Sequence, residues 1–185
     1  MPLLRPLLLS LALLGTLPIA HAGTTVVTSP QALPAADGRV RIFLAGSIDM
    51  GRSEDWQARV ADALADADVV LFNPRRADWN PAWQASSDEP EFVRQVRWEL
   101  QALEAADIVL MYFAPGSQSP VTLLEMGLHA RGGKLLVAAP EGFWRKGNVD
   151  ITADHYGVHR VEDIDALIAA VRERVEQMQQ QQAGQ

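Results

Sequence analysis

Short, continuously apolar segments alternate with amphipathic helical patterns, and this alternation constrains the fold of the chain more than any other feature. Strands that are apolar at every position are buried on both faces, which is typical of parallel sheets covered by helices. The predicted strands are 40–45, 69–72, 108–113, 135–138 and a shorter one at 158–161. The pattern predicts a single three-layer α/β domain, Rossmann-like or flavodoxin-like, with a mainly parallel sheet of about five strands.

Three helices can be placed from their starts and their apolar faces. Ser53 is a suitable N-cap for the first helix. Ser119 supplies an N-cap for the third helix, and Pro120 suits its first helical position. The buried face of the second helix is expected to carry Phe92, Val96, Leu100 and Leu103. Because ligands of parallel sheets bind beyond the carboxyl ends of the strands, a site is expected in the loops leading into these helices.

The first 22 residues have the pattern of a signal peptide. Arg5 is followed by a leucine-rich run and by Ala20-His21-Ala22, an A-x-A cleavage site. The run is short for a membrane span, which needs about 20 apolar residues. We therefore expect cleavage after Ala22 and export, to the periplasm in a bacterium, with no membrane association of the cleaved chain. A retained anchor is the alternative.

The rest of the chain divides into three parts by composition. Residues 23–38 are rich in Thr, Pro and Ala and are expected to be a linker. The folded domain is expected to cover residues 39–176. The Gln-rich residues 177–185 are expected to form a tail that frays.

Charge and residue usage exclude several classes of function. The chain carries 16 Lys and Arg against 23 Asp and Glu, a formal charge of −7, whereas nucleic-acid binding needs a cationic surface. The absence of cysteine excludes disulfides, thiolate zinc sites and a cysteine nucleophile. The histidines lack metal-ligand spacing. We expect no metal or other cofactor and no nucleic-acid partner.

Two glutamates lie at positions where a charge is costly. Glu125 is surrounded by apolar residues and glycine in the segment 123–128, and Glu99 borders the apolar stripe of its helix. A buried carboxylate costs several kcal/mol unless it is paired or partly hydrated. A structural ion pair is the alternative for either residue. Two carboxylates at one pocket are otherwise the equipment of glycosidic-bond chemistry, one as nucleophile and one near the leaving group.

The segment after the first predicted strand has the residues to bind an anion or a sugar. Gly46, Ser47, Gly51 and Arg52 combine glycines, a hydroxyl and a cation with the start of a helix. The glycine spacing is like that of a P-loop, but Arg52 stands where that loop requires lysine. A plain strand-to-helix turn is the alternative.

Four stretches of the chain resemble the nucleoside 2-deoxyribosyltransferase superfamily, and most closely its nucleoside 2-deoxyribosyltransferase-like branch. They are 42–48 (IFLAGSI), 72–79 (FNPRRADW), 98–108 (WELQALEAADI) and 119–127 (SPVTLLEMG). Residue type and spacing agree across several loops at once, which makes the resemblance specific.

The resemblance implies roles for individual residues. In the superfamily, a glutamate at the position of Glu125 attacks the anomeric carbon of the nucleoside and forms a covalent sugar–enzyme ester. Glu99 matches an acidic residue that contacts or protonates the base, although the transferases have aspartate there. Gly46, Ser47 and Arg52 match the phosphate-holding loop of relatives that hydrolyse deoxynucleoside 5′-monophosphates. Superfamily members are oligomers, so a homodimer or larger assembly is also implied.

Some residues depart from the transferase pattern. Phe43 stands where the transferases have a tyrosine that orients the nucleophile, and Ser119 stands where they have a second base-contacting aspartate. Both positions are expected at the substrate. The loop after the second predicted strand is not a transferase feature and suggests a different base or leaving group. Its candidate substrate contacts are Asn73, Arg75, Asp78 and Trp79.

The sequence therefore predicts an enzyme that transfers or hydrolyses the N-glycosidic bond of a nucleoside or nucleotide through a covalent glycosyl–glutamate intermediate. One alternative is an N-glycosidase of nucleoside 5′-monophosphates, which needs no acceptor base. Another is a catalytically inactive protein that binds a nucleoside or nucleotide, which the polar groups missing at Phe43 and Ser119 favour.

Overall fold

Strands and helices alternate along residues 23–49 and 53–184, the part of the chain that the computed structural model describes. The strands are β1 (Thr25–Thr28), β2 (Arg41–Gly46), β3 (Val70–Asn73), β4 (Ile108–Tyr112), β5 (Leu135–Ala138) and β6 (His159–Val161). The helices are α1 (Trp56–Ala63), α2 (Pro90–Ala105), α3 (Pro120–His129), α4 (Lys146–Tyr156) and α5 (Ile164–Ala183). A 3₁₀ turn, Ala130–Gly132, follows α3 directly.

The strands form one sheet in the order β1-β3-β2-β4-β5-β6, and every neighbouring pair is parallel. This confirms the predicted α/β domain with a helix-covered parallel sheet. Strands β2 and β4 lie side by side at the centre, with Ile42 opposite Ile108 and Gly46 opposite Tyr112. Parallel pairing aligns all the carboxyl ends at one edge, which is where a site was expected.

Both faces of the sheet are covered, which explains why its central strands are apolar at every position. Along β2, Phe43 and Ala45 pack against one layer of helices, and Ile42 and Leu44 pack against the other. The first layer consists of α2, α3 and α4, and the second of α1 and α5. Each large side chain that is fully buried stabilises the fold by roughly 1.5–3 kcal/mol.

The predicted linker over 23–38 was wrong for its first part, because Thr25–Thr28 form the edge strand β1. This strand pairs with Val70–Asn73 of β3, and the side chain of its residue Val27 is buried. Its β-branched residues favour extended backbone once β3 offers a partner. The Gln-rich end also differs from expectation, since α5 continues to Ala183 and Gln179 Nε2 donates a hydrogen bond to the carbonyl of Ala67.

The expected helix start and the expected helix face also needed correction. The N-cap of α1 is Asp55, not Ser53, and its carboxylate accepts a hydrogen bond from the backbone N–H of Ala58. Leu100 is 45% exposed, so α2 is rotated from the predicted orientation. The residues that α2 buries are Gln95, Trp98, Ala102 and Leu103.

Two predictions fall on residues outside the described part of the chain. These are the signal peptide over residues 1–22 and the anion-binding role of Arg52. Within residues 23–49 and 53–184, no helix has the length and apolar character needed to cross a membrane.

Candidate active site

Glu125 and Glu99 project from two helices that cover the same face of the sheet. Glu125 lies in the second turn of α3 and is buried, at 7% exposure. Glu99 lies in the middle of α2 and is half-buried. The structure therefore brings together the two carboxyl groups that the sequence singled out.

Burial raises the pKa of both carboxyl groups, and the charge of Glu99 adds to the rise at Glu125. Burial, with the nearby charge of Glu99, raises the pKa of Glu125 to about 8. Burial also raises the pKa of Glu99, although a hydrogen bond from Gln95 opposes this rise. Among the described residues, no side chain donates a hydrogen bond to Glu125. The pair therefore holds a proton at neutral pH, and the shared proton belongs to the pair and not to one residue.

Gln95, one turn before Glu99, anchors its carboxyl group. Its Nε2 atom donates to Glu99 Oε1 and to the carbonyl of Pro74, each at 2.9 Å. Its Oε1 atom accepts a hydrogen bond from Ser29 Oγ at 2.6 Å. Sequence reasoning missed both Gln95 and Ser29. The i,i+4 spacing of Gln95 and Glu99 was the available signal, since such pairs share one helix face.

Three serine hydroxyls meet beyond the carboxyl ends of β2 and β4. Ser47 Oγ lies 2.8 Å from Ser117 Oγ and 2.6 Å from Ser119 Oγ, and the last two are 2.9 Å apart. All three residues are buried, and Ser47 Oγ also accepts the backbone N–H of Ala114. Ser119 is the N-cap residue of α3 as predicted, but its φ of 43° is left-handed and its hydroxyl makes no capping bond. Ser117 was not predicted.

Gly46 and Phe43 have packing roles in β2. A Cβ atom on Gly46 would lie 2.4 Å from the carbonyl oxygen of Tyr112, and the φ of Gly46 is 154°. Only glycine fits this close approach of β2 to β4. Phe43 is buried, and its ring centroid lies 6.4 Å from that of Trp98 on α2. Its ring has no hydroxyl with which to orient a carboxylate.

Arg75 and Asn73 organise the backbone beside the carboxyl end of β3. Two nitrogens of the Arg75 guanidinium donate to the carbonyls of Ser53 and Glu54, at 3.0 and 3.1 Å. One of them also reaches Gln57 Oε1, at 3.3 Å. Asn73 Oδ1 accepts the backbone N–H of Arg75. The guanidinium of Arg75 therefore stabilises the segment that leads into α1.

Asp78 and Trp79 belong to a loop that is built around Arg76. The Arg76 side chain, 3% exposed, donates to both oxygens of Asp78 and to Glu91 on α2. Its guanidinium also lies 4.9 Å from the ring centroid of Trp83, against which Trp79 packs edge-on at 5.2 Å. The bond from Arg76 lowers the pKa of Asp78. Both carboxylate oxygens of Asp78 thus accept hydrogen bonds from Arg76 within the loop. Trp79 and Trp83 form the aromatic surface of this loop.

Two cavities lie away from the glutamates. One, of about 300 Å³, is lined by residues at the amino ends of β4, β5 and β6 and by α5. The other, of about 360 Å³, lies between residues 30–33 and the outer side of α2. Over residues 23–49 and 53–184, no cluster of three or more His, Asp or Glu side chains is suited to a metal ion.

Comparison with known proteins identifies a family for this chain and a similar fold. Residues 39–143 match the family described as "Nucleoside 2-deoxyribosyltransferase like". The fold is similar to the crystal structure of a conserved protein from Enterococcus faecalis V583, with a TM-score of 0.51 and 13% identity over 74% of this chain and 99% of that chain. No curated protein gives a significant match. Because the family match covers more than half of the sequence, this chain belongs to the nucleoside 2-deoxyribosyltransferase-like family.

Proposed function

We propose that this protein cleaves the N-glycosidic bond of a nucleoside or nucleotide and passes the sugar to water or to a second base. Membership of the nucleoside 2-deoxyribosyltransferase-like family supports glycosyl transfer as the general chemistry. The observation that carries the finer proposal is the pair formed by Glu99 and Glu125, two carboxyl groups whose pKa values burial raises, the charge of Glu99 adding to the rise at Glu125. Retaining glycosyl transfer requires such a pair, because one group attacks while the other assists the leaving group.

In the proposed first step, Glu125 is the nucleophile and Glu99 the general acid. The Glu125 carboxylate forms a bond to the anomeric carbon as the bond from that carbon to the base nitrogen breaks. The base takes the bonding electron pair and receives a proton from Glu99. The pair needs one proton for this step, located on Glu99 while Glu125 is ionised.

In the second step, Glu99 reverses its role. Its carboxylate accepts a proton from water, or from the incoming base, as that group attacks the anomeric carbon and releases Glu125. The step restores the starting distribution of one proton over two carboxyl groups. No cofactor is required.

An N-glycosidase of nucleoside 5′-monophosphates is the second candidate. The cluster of Ser47, Ser117 and Ser119 supports it, because three hydroxyls beyond the carboxyl ends of β2 and β4 can reorient to donate hydrogen bonds to a phosphate. The match of Arg52 to the phosphate-holding loop of such hydrolases also favours this candidate. In this form of the proposal the acceptor is water.

Export and self-association are parts of the proposal. The signal-peptide pattern of residues 1–22 supports an exported, periplasmic enzyme. Val121, Leu124 and Leu128 support a homodimer or larger assembly, because these exposed residues form an uncharged apolar stripe on the helix that carries Glu125.

Intact-protein mass spectrometry tests the proposal directly. The chain is incubated with a panel of nucleosides and 5′-monophosphates, and Glu125→Ala is treated in parallel. A pentosyl adduct on the unmutated chain alone, with free base released, is the expected result. Ligand binding that survives Glu125→Ala, with neither adduct nor base from any compound, would contradict catalysis and support the inactive binding protein. Products from 5′-monophosphates alone would select the second candidate.

A further inference from the structure

The carboxamide of Gln95 is buried and uses all of its hydrogen-bonding groups. Gln95 is 5% exposed, and its two N–H groups donate to Glu99 Oε1 and to the carbonyl of Pro74. Its single oxygen accepts the hydroxyl of Ser29. A glutamine amide has two donor hydrogens and one acceptor oxygen, so this set of partners satisfies the group.

The chemistry of these partners allows one orientation of the amide. Rotating it by half a turn would point its oxygen at the carbonyl of Pro74 and at the carboxyl group of Glu99, which are both acceptors. Ser29 is itself fixed, because it is 3% exposed and its backbone N–H donates to the carbonyl of Asn73 at 3.0 Å. The orientation of Gln95 therefore depends on the segment that follows β1.

The hydrogen bond from Gln95 makes the two carboxyl oxygens of Glu99 different from each other. Oε1 accepts the amide of Gln95, whereas no described side chain forms a hydrogen bond with Oε2. An acid must present the oxygen that carries its proton to the leaving group, and the oxygen already accepting a hydrogen bond is the poorer position for that proton. The charge of Glu99 in turn acts on Glu125, which lies on α3.

We infer that Gln95, held by Ser29, is a positioning residue that orients Glu99 so that Oε2 is the oxygen that exchanges protons. The role of Glu99 as acid rests on the proposed function, but the orientation and its effect on the ionisation of Glu99 do not. The segment that follows β1 thus contributes to the site through two side-chain hydrogen bonds, from Ser29 to Gln95 and from Gln95 to Glu99.

The experiment follows the ionisation of Glu99 in the full chain by ¹³C NMR of labelled glutamate carboxyl groups, assigned with Glu99→Gln. Gln95→Met removes the hydrogen bonds at nearly constant size, and Ser29→Ala removes the anchor while Ser29→Thr keeps a hydroxyl. We expect the midpoint of Glu99 to move to higher pH in Gln95→Met and in Ser29→Ala, and to return towards the native value in Ser29→Thr. Gln101→Met, at an exposed glutamine of the same helix, is the control.

Turnover gives a second, separate measurement. If Glu99 is the acid, Gln95→Met should lower kcat by about tenfold to a hundredfold with a smaller effect on KM, because a hydrogen bond to a charged group is lost. Unchanged midpoints in folded Gln95→Met and Ser29→Ala would overturn the inference. Shifted midpoints in a chain that transfers no sugar would uphold the orientation and reject the proposed function. If Gln95→Met does not fold, the titration midpoint of Glu99 is compared between Ser29→Ala and Ser29→Thr, and equal midpoints in these two variants would overturn the inference.

Discussion

The charge of Glu99 makes it harder for Glu125 to lose its proton, so the ionisation of a side chain on one helix depends on a side chain of the neighbouring helix. The two residues lie on α2 and α3, and burial together with the charge of Glu99 brings the pKa of Glu125 to about 8. The pair has no described arginine or lysine bonded to it that would relieve this repulsion. If the proposed function holds, the titration of this pair should therefore affect both turnover and the stability of the fold.

The first prediction concerns the pH dependence of turnover. Because the reactive state holds one proton on the pair, kcat/KM should fall above a pH of about 8, where the last proton is lost. Glu99→Gln removes both the acid and the repulsion, so the alkaline fall should disappear and the remaining activity should be low. A substrate whose leaving group needs no protonation should restore much of that activity. An alkaline fall that persists in Glu99→Gln would contradict the assignment.

The second prediction concerns stability. The folded pKa of Glu125, about 8, exceeds the ordinary value of 4.5, so the folded chain binds the proton more tightly than the unfolded chain does. Its contribution to stability is complete below pH 4.5 and is lost as the pH rises towards 8. Glu125→Gln should therefore be more stable than the native chain at pH 9, by about 5 kcal/mol, with little difference at pH 4.

Urea denaturation of both chains at these two pH values measures the difference. Glu104→Gln, at an exposed position of α2, controls for the loss of a surface charge. A constant difference between the Glu125→Gln and native chains across the pH range would show that Glu125 is not the titrating group.

The third prediction concerns Ser119 and substrate choice. Ser119 has a left-handed φ of 43°, so Ser119→Gly removes the hydroxyl while keeping a permitted backbone, whereas Ser119→Ala adds strain. If the serine cluster binds phosphate, Ser119→Gly should lower the ratio of kcat/KM for a 5′-monophosphate to that for its nucleoside by about tenfold or more. An unchanged ratio in Ser119→Gly would exclude this role for the hydroxyl.

The fourth prediction concerns Arg75, which the sequence had suggested as a substrate contact. Its bonds to the carbonyls of Ser53 and Glu54 use the forked geometry of the guanidinium. Arg75→Lys keeps the charge but not the fork, so it should destabilise the fold nearly as much as Arg75→Met, by about 1–3 kcal/mol in urea denaturation. A native-like Arg75→Lys combined with a much less stable Arg75→Met would show that charge, not geometry, is required.

The fifth prediction concerns assembly. Leu124 is 64% exposed on α3, between Val121 and Leu128, which are also exposed and apolar. If two copies associate through this stripe, Leu124→Glu should shift the mass measured by light scattering towards the monomer. Gln101→Glu adds the same charge to the exposed side of α2 and should leave the assembly unchanged. An oligomer that persists in Leu124→Glu would place the interface elsewhere.

The central strands and the two glutamates could be predicted because local sequence specifies them. Runs of apolar residues such as those of β4 identify buried parallel strands, and Glu125 is conspicuous among its apolar neighbours. Strand β1 could not be predicted in this way. Its four residues precede a Pro- and Ala-rich stretch and become a strand only through pairing with β3.

The orientation of α2 and the contact between Ser29 and Gln95 are also results of tertiary structure. Leu100 and Trp98 cannot both lie on the buried side of α2. Trp98 is the buried one, because its indole packs on Phe43 and donates a hydrogen bond to the carbonyl of Gln31. That orientation turns Gln95 inward, where Ser29 meets it across 66 positions of sequence. Periodicity alone contains no information about such a distant partner.

The pairing of β1 with β3, and not with β2, also sets an order of assembly. Strand β1 is made early in synthesis but has no neighbour until the segment beyond α1 has been made, and pairing across such a separation is slow. Since Ser29 follows β1, Glu99 gains its fixed orientation only when this late contact closes. If the protein has the proposed activity, that activity should therefore appear later than the helices when the protein folds.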